Sequence, residues 1–249
     1  WGLSLAVSNS YAYVIGGCTA GAAPSSCSTR TDSIQTFQVY NNDSGTIKSV
    51  TSNVSDDGFA ASTDRWGASS AIYTDSATEQ SYLYVAGGCT STTDCTTATG
   101  DIQYISISKS DGSLTGSWAS ATKGIGDSGG GAQVRAWGKL VIVGSYMYYL
   151  GGQTSTSTDE RSEVYYVPVA AGNITTNWST ATKALGDTGS GGNARTKFGV
   201  AVWNSRIYVV GGLNGSAAVT NTVYISPQPS SGNLSSNWTS DADVPEVAR

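Results

Sequence analysis

The sequence predicts an all-β fold built from four copies of one four-stranded unit. Only 12% of the 249 residues are charged, against roughly 25% in a typical domain. The 31 glycines and the many serines and threonines favour short strands and tight turns over helices. A tyrosine-rich apolar run that ends in Gly-Gly recurs at 11–17, 81–88, 146–152 and 206–212. Such a recurrence indicates a repeat architecture.

The first two strands of each unit are nearly continuous apolar runs, which are typical of strands buried on both faces. The first run occupies 67–73, 138–144 and 199–203, and the second is the tyrosine-rich run. Glycine accepts a positive φ and lets another backbone approach where a Cβ would clash. The Gly-Gly pair therefore predicts close contact with a neighbouring unit. An arginine precedes the first strand of a unit, as Arg65, Arg135, Arg195 and Arg249.

The third and fourth strands follow a polar loop. In DIQYISI (101–107) apolar residues fall at every second position, which predicts one buried face. The other third strands are predicted at 33–40, 163–169 and 221–227. The fourth strands are predicted after a glycine turn, at 44–50, 111–118, 171–178 and 231–238. A tryptophan ends three of them, and the first copy has Val50 there; the three are Trp118, Trp178 and Trp238.

A twisted four-stranded sheet with buried inner strands and a half-exposed outer strand is a blade of a β-propeller. The fold class that we predict is therefore an all-β propeller of four-stranded antiparallel blades. A single propeller domain or segment is expected over 1–249. Its four blades are expected at about 1–64, 65–134, 135–194 and 195–249.

The repeat resembles the kelch-type β-propeller repeat over essentially the whole chain, and RTKFGVAVWNSRIYVVGG (195–212) is especially similar. The units are longer than the usual ~50 residues, and the polar run TDSATEQS (74–81) lengthens one turn. Kelch-like propellers usually have more than four blades. The resemblance thus implies part of a larger ring, whose missing blades are supplied by another chain or by a second copy. A closed four-bladed ring is the alternative.

The four cysteines predict two local disulfides. Cys18 and Cys89 both follow a Gly-Gly pair directly, and each has a second cysteine in the same loop. This shared position favours the pairs Cys18–Cys27 and Cys89–Cys95 among the three pairings that four cysteines allow. A zinc site is disfavoured because the chain has no histidine and no CxxC spacing. Disulfides imply an oxidising compartment, so we expect a secreted or cell-surface protein.

Seven Asn-x-Ser/Thr sequences agree with that location, because they permit glycosylation. They are Asn42, Asn53, Asn173, Asn177, Asn214, Asn233 and Asn237.

The absence of histidine excludes Ser-His-Asp, Cys-His and histidine–metal chemistry. GDSGGG (126–131) resembles the nucleophile loop of trypsin-like proteases, but GDTGSGG (186–192) repeats it in the next unit, which favours a structural turn. Kelch-type oxidases bind copper through histidine and tyrosine, and this chain has no histidine that could take that part. We therefore predict no metal, no cofactor and no enzymatic role. A carboxylate-based glycan-processing enzyme stays open as an alternative, because paired carboxylates need not be close in sequence.

The recurring arginines are the strongest sequence indication of a binding site. The resemblance places this position at the mouth of the central channel, where Arg65, Arg135 and Arg195 would converge on an acidic ligand. Trp66 and Trp137 accompany them. The alternative is that each arginine bonds carbonyl groups of its own or the next blade and locks the ring, with the tryptophans in the core.

We therefore expect a binding or adhesion module for a carbohydrate or protein ligand, with a non-binding scaffold or spacer as the runner-up. A net charge of −5 and the absence of a basic stripe argue against nucleic acid. No apolar run reaches 18 residues, so no direct membrane insertion is expected.

Overall fold

The computed structural model describes residues 1–8, 11–21, 26–39, 47–52, 64–92, 95–154, 159–169 and 171–241. Within these ranges the chain forms strands and turns and no helix. Four antiparallel sheets each contain four strands that neighbour one another in chain order. They are arranged as the blades of a propeller, which confirms the predicted all-β fold with four-stranded antiparallel blades.

The first and second blades hold the longest strands. The strands of the first blade are β1 (Ser4–Ser8), β2 (Tyr11–Ala20), β3 (Thr29–Val39) and β4 (Ile47–Ser52). Those of the second blade are β5 (Ser69–Thr74), β6 (Ser81–Ala86), β7 (Ile102–Ile107) and β8 (Leu114–Ser120).

The third and fourth blades have shorter outer strands. The third blade contains β9 (Lys139–Val143), β10 (Tyr146–Leu150), β11 (Val164–Pro168) and β12 (Ser179–Thr180). The fourth contains β14 (Gly199–Trp203), β15 (Arg206–Val210), β17 (Val223–Ile225) and β18 (Thr239–Asp241). A two-stranded sheet beside the fourth blade pairs β13 (Arg195–Thr196) with β16 (Leu213–Asn214).

The fourth strands predicted over 171–178 and 231–238 are wrong, because β12 and β18 begin only after the tryptophan of each unit. The stretch before each strand bonds to the preceding blade. Asn173 exchanges two hydrogen bonds with Thr122, and Asn233 does the same with Thr182. These contacts leave the backbone of 171–178 and 231–238 outside the ladder of its own sheet.

The core lies between consecutive blades. The innermost strands neighbour one another in the order β1, β5, β9 and β14, and one buried apolar cluster fills each of the three junctions. Trp118, Trp178 and Trp238 are buried in the first, second and third junctions respectively. Val50 of the first blade is in a segment whose side chains lie outside the described residues.

The Gly-Gly pair lies in direct backbone contact with the next blade. In the second blade, Gly87 and Gly88 have φ values of +65° and +107°. The Gly88 N–H donates to the carbonyl oxygen of Arg135 in the third blade, at 2.8 Å. A Cβ on Gly87 would collide with that same oxygen. Both reasons that the sequence offered for these glycines therefore hold at this junction.

Candidate functional site

The guanidinium of Arg65 is buried inside its own blade. It donates from Nη1 to the carbonyl oxygen of Gly87 at 3.3 Å, and its Nη2 lies 3.6 Å from a carboxylate oxygen of Asp101. Burial lowers the pKa of Arg65, and Asp101 opposes that shift. The side chain thus joins the start of the second blade to the end of its Gly-Gly strand.

Arg135 and Arg195 repeat one arrangement in the third and fourth blades. Each is buried and stacks its guanidinium over a tyrosine of its own third strand, Tyr165 at 5.6 Å and Tyr224 at 5.3 Å from the ring centroid. Each also donates from Nη2 to that tyrosine hydroxyl, at 3.1 and 3.4 Å. This geometry favours the alternative in which the arginines lock their blades, and a ligand role for them stays a prediction. Arg249 lies outside the described residues.

Three tryptophans meet beside the starts of the innermost strands. Trp66 stands edge-on to Trp1 and to Trp137, with ring centroids 4.8 and 5.2 Å apart. Trp1 and Trp137 are parallel at 6.3 Å. We call this group the tryptophan cluster. Trp66 is fully buried, whereas Trp1 and Trp137 are partly exposed. The exposed Lys197 places its Nζ 5.1 Å from the centroid of Trp137, so the first, second, third and fourth blades all contribute here.

The two cysteine loops lie beside the tryptophan cluster. Cys18 and Cys27 are at disulfide distance, as are Cys89 and Cys95, with Cα–Cα separations of 5.6 and 5.1 Å. The Cys27 N–H donates to the carbonyl oxygen of Thr92, which ties the loop of the first blade to that of the second. The buried Trp66 indole donates to the carbonyl oxygen of Ser91. The loops thus hold the walls of the cluster in place.

The protease-like loop is a structural turn that occurs twice. Asp127 accepts hydrogen bonds from the N–H groups of Gly129 and Gly131 at 2.8 and 3.2 Å, and Asp187 makes the equivalent pair in the next blade. These backbone donors, Gly129 first, hold the pKa of Asp127 below its usual value. The backbone carbonyl of Asp127 accepts from the N–H of Trp178, so each turn also anchors the following blade.

All five sequon asparagines within the described residues make side-chain hydrogen bonds. In four of them the Nδ2 atom, to which a glycan would be attached, donates a hydrogen bond to the neighbouring blade. These four are Asn173, Asn177, Asn233 and Asn237. Asn214 instead uses Oδ1, which accepts from two backbone N–H groups of its own turn. Asn42 and Asn53 lie outside the described residues.

A groove of about 590 Å³ opens between the first and second blades, at the strand ends opposite the Gly-Gly pairs. One wall carries Tyr11 and Gln38 of the first blade, and the other carries Glu79, Lys109 and Ser110 of the second. The Gln38 amide donates to the Tyr11 hydroxyl at 3.3 Å. The groove thus combines an aromatic ring with a carboxylate, an ammonium and neutral hydrogen-bonding groups.

The wall of the groove that the second blade provides includes a turn that is longer than its counterparts in the third and fourth blades. Strands β5 and β6 are joined by the six residues 75–80, whereas the equivalent strands of the third and fourth blades are joined by two residues each. Asp75 holds the longer turn by accepting from the N–H groups of Ala77 and Thr78 at 3.0 and 2.7 Å. Glu79 has a positive φ of 56°, a backbone conformation that non-glycine residues adopt mainly in turns, and the chain reverses direction here.

The insertion is fastened to the neighbouring turn of the same blade. Gln80 donates from Nε2 to the carbonyl oxygen of Ile107 at 2.8 Å. Lys109 donates from Nζ to the carbonyl oxygen of Thr78. Glu79 is therefore carried on a segment that is fixed at both ends, which favours a wall that is formed before any ligand arrives.

Comparison with known proteins supports the fold and one repeat. Residues 194–225 match the model of the Kelch motif. The fourth blade therefore carries a kelch motif. No curated protein sequence matches the chain. Among solved structures, the chain is similar to the one described as "Structure of YjhT", with a TM-score of 0.61 and 13% identity. The similarity covers 99% of this chain and 66% of that one, so the chain spans just under two thirds of its length.

The recurring four-stranded unit accounts for the arginines, the tryptophans and the glycine pairs. The groove lies outside this repeat pattern. Sequence reasoning missed Tyr11, Glu79 and Lys109 as candidate site residues. The one available signal was the extra length of TDSATEQS (74–81), which departs from the other units. Within the described ranges, no helix is long and apolar enough to cross a membrane. The described residues also contain no cluster of three or more histidine, cysteine, aspartate or glutamate side chains suited to a metal ion.

Proposed function

We propose that the chain is an extracellular or cell-surface binding module that takes a carbohydrate in the groove between its first and second blades. A kelch propeller fold suggests a binding or scaffold module. The cysteine pairs at disulfide distance suggest an extracellular protein. The groove is the main support for a binding role, because it lies at an insertion that the third and fourth blades do not have.

The lining of the groove favours a sugar over an apolar ligand. A sugar ring has an apolar face, which packs on an aromatic ring such as Tyr11, and hydroxyl groups that both donate and accept hydrogen bonds. Glu79 accepts, Lys109 donates, and Gln38 does both. A few well-placed polar groups on a preformed concave surface are the usual means of orienting a small ligand.

A second candidate is an acidic or protein ligand at the tryptophan cluster. The observation that favours it is the exposed Lys197 beside Trp137. The recurring arginines would contribute to that ligand site only through their charge, because their guanidiniums are buried.

Matched tyrosine variants on a glycan array test the proposal. Tyr11 packs against Gly112 of the next blade, and Tyr146 packs in the same way against Gly232. Tyr11→Ala and Tyr146→Ala therefore remove equivalent packing, but only Tyr11 lines the groove. We expect Tyr11→Ala to abolish glycan binding and Tyr146→Ala to preserve it. Equal loss in both variants, or no bound glycan with the unchanged chain, would contradict the proposal.

A second pair of variants separates the groove from the tryptophan cluster. Glu79→Gln should weaken sugar binding about five- to tenfold, since it replaces a charged hydrogen bond of about 1.5–3 kcal/mol by a neutral one of about 0.5–1.5 kcal/mol. Lys197→Gln should leave it unchanged. The reverse result would assign the ligand to the cluster and leave the groove without a role.

A further inference from the structure

A fully buried tyrosine of the second strand stands at each of the three junctions between blades. It donates its hydroxyl to the carbonyl oxygen of a glycine in the outer turn of the next blade. The three pairs are Tyr13 with Gly112 at 2.7 Å, Tyr84 with Gly172 at 2.9 Å and Tyr148 with Gly232 at 2.7 Å. Each junction therefore has the same floor, formed by this tyrosine and this glycine.

At the second junction a further tyrosine covers that floor. Tyr104 of β7 pairs with Tyr84 of β6, so both side chains lie on the same face of the sheet. The ring of Tyr104 has its centroid 5.9 Å from that of Tyr84 and 6.4 Å from that of Tyr82. A Cβ added to Gly172 would be 3.1 Å from the Tyr104 ring. Tyr104 thus fills the space above this glycine.

The third junction is filled in the same way. Tyr166 of β11 pairs with Tyr148 of β10, and its ring centroid lies 6.1 Å from those of Tyr146 and Tyr148. A Cβ added to Gly232 would be 2.8 Å from the Tyr166 ring. We call Tyr104 and Tyr166 the plug tyrosines, because they occupy one equivalent position of the third strand and close their junctions.

At the first junction this position is occupied by Thr36. Thr36 of β3 pairs with Tyr13 of β2, as the plug tyrosines pair with Tyr84 and Tyr148, so its side chain lies on the equivalent face. A threonine side chain ends at the atoms from which a tyrosine ring would extend. The groups that would surround such a ring are Tyr11, Tyr13 and Gly112, and all three line the groove. The groove thus lies where the plug tyrosine is missing.

We propose that Thr36 determines which ligands enter the groove, because it leaves free the space that a plug tyrosine fills at the other two junctions. This inference rests on the proposed function, since it concerns the same groove. The turn at 75–80 provides a wall of the groove, whereas Thr36 leaves the floor above Gly112 open.

The ligand class that fits this space is a sugar with a six-membered ring. Such a ring is similar in size to the phenol ring that it would replace, and its apolar face packs on the rings of Tyr11 and Tyr13. Its hydroxyl groups would then reach the polar groups of the rim, where Glu79 and Lys109 lie.

Thr36→Tyr tests the proposal, because it restores the plug tyrosine. We expect a crystal structure of this variant to show the new ring above Gly112, beside Tyr11 and Tyr13. A glycan array should show complete loss of binding. Thr36→Val is the matched control, because it keeps the size of the side chain, and it should bind the same glycans as the unchanged chain.

Tyr104→Thr tests the converse at the second junction and needs no ligand. We expect its crystal structure to show a new groove above Gly172, with Tyr84 still bonded to the glycine carbonyl. The melting temperature should fall, because removing a packed ring leaves a cavity. This variant also decides the matter if thermal melts show that Thr36→Tyr does not fold.

Three results would overturn the proposal. They are a Thr36→Tyr ring that points away from Gly112 and leaves the groove open, a Tyr104→Thr structure without a groove above Gly172, and equal loss of glycan binding in Thr36→Val and Thr36→Tyr. Glycan binding that persists although the new ring fills the groove would overturn the proposed function as well, because the sugar would then bind elsewhere.

Discussion

Replacing Gly232 by alanine should weaken the junction between the third and fourth blades specifically. Gly232 has a φ of +83°, and its carbonyl accepts the hydroxyl of Tyr148. A Cβ there would overlap the ring of Tyr146 and lie 2.8 Å from the ring of Tyr166. These two rings pack edge to face at 6.1 Å, so neither can move aside without breaking another contact.

The expected loss is the sum of two effects. A non-glycine residue at a positive φ costs about 1–2 kcal/mol, and overpacking against fixed side chains adds roughly 1–3 kcal/mol. Gly116 is the matched control, because it has a φ of +80° and nothing within 4 Å of an added Cβ. Gly116→Ala should therefore show the backbone cost alone.

Urea unfolding of both variants, extrapolated linearly to zero denaturant, measures the difference. We expect Gly232→Ala to lose about 1–3 kcal/mol more of the free energy of unfolding than Gly116→Ala. Equal losses would refute the reasoning, because the contact between Gly232 and the tyrosines would then contribute nothing to docking.

Two further predictions concern the buried arginines and tyrosines. Arg135→Ala should lower the free energy of unfolding by about 1–3 kcal/mol, because Tyr165 and Glu163 lose their partner. The control is Arg161→Ala, which removes a more exposed ion pair with Asp159 and should lower the free energy of unfolding by about 0–1 kcal/mol. Loss of acidic-ligand binding by Arg135→Ala with an unchanged melting temperature would instead favour the ligand role. Burial raises the pKa of Tyr13 to about 12, so its contribution to stability is complete below pH 10 and is lost as the pH rises from 10 towards 12, by roughly 2–3 kcal/mol. Urea midpoints between pH 9 and 11.5 should fall less steeply for Tyr13→Phe than for the unchanged chain, and parallel profiles would contradict this assignment.

The repeated parts of the fold could be predicted from the sequence because the same physical demand recurs in each unit. The Gly-Gly pairs recur because every junction brings a carbonyl against that position, as Arg135 does against Gly87. The tryptophans recur because every described junction is filled by one. Both requirements act on single residues at fixed places, so they leave a visible pattern.

The late start of β12 and β18 could not be predicted from that pattern. The stretches before them have strand-like residues, but Asn173 and Asn233 bond to the preceding blade instead of pairing within their own sheet. A contact between blades has no signature in local composition.

The groove could not be predicted from the sequence for a similar reason. Tyr11 looks like any other tyrosine of a second strand, and it becomes a wall only because the turn at 75–80 rises opposite it. The recurring arginines are the opposite case, because the sequence pattern is clear but the side chains are buried within the blades. Arg135 contacts Tyr165, and Arg195 contacts Tyr224.

The most direct test of the account is a crystal structure of the chain grown with the sugar that binds most tightly on the array. We predict electron density for that sugar in the groove, against the ring of Tyr11 and within hydrogen-bonding distance of Glu79 and Lys109. Sugar density at the tryptophan cluster with an empty groove would contradict the central claim.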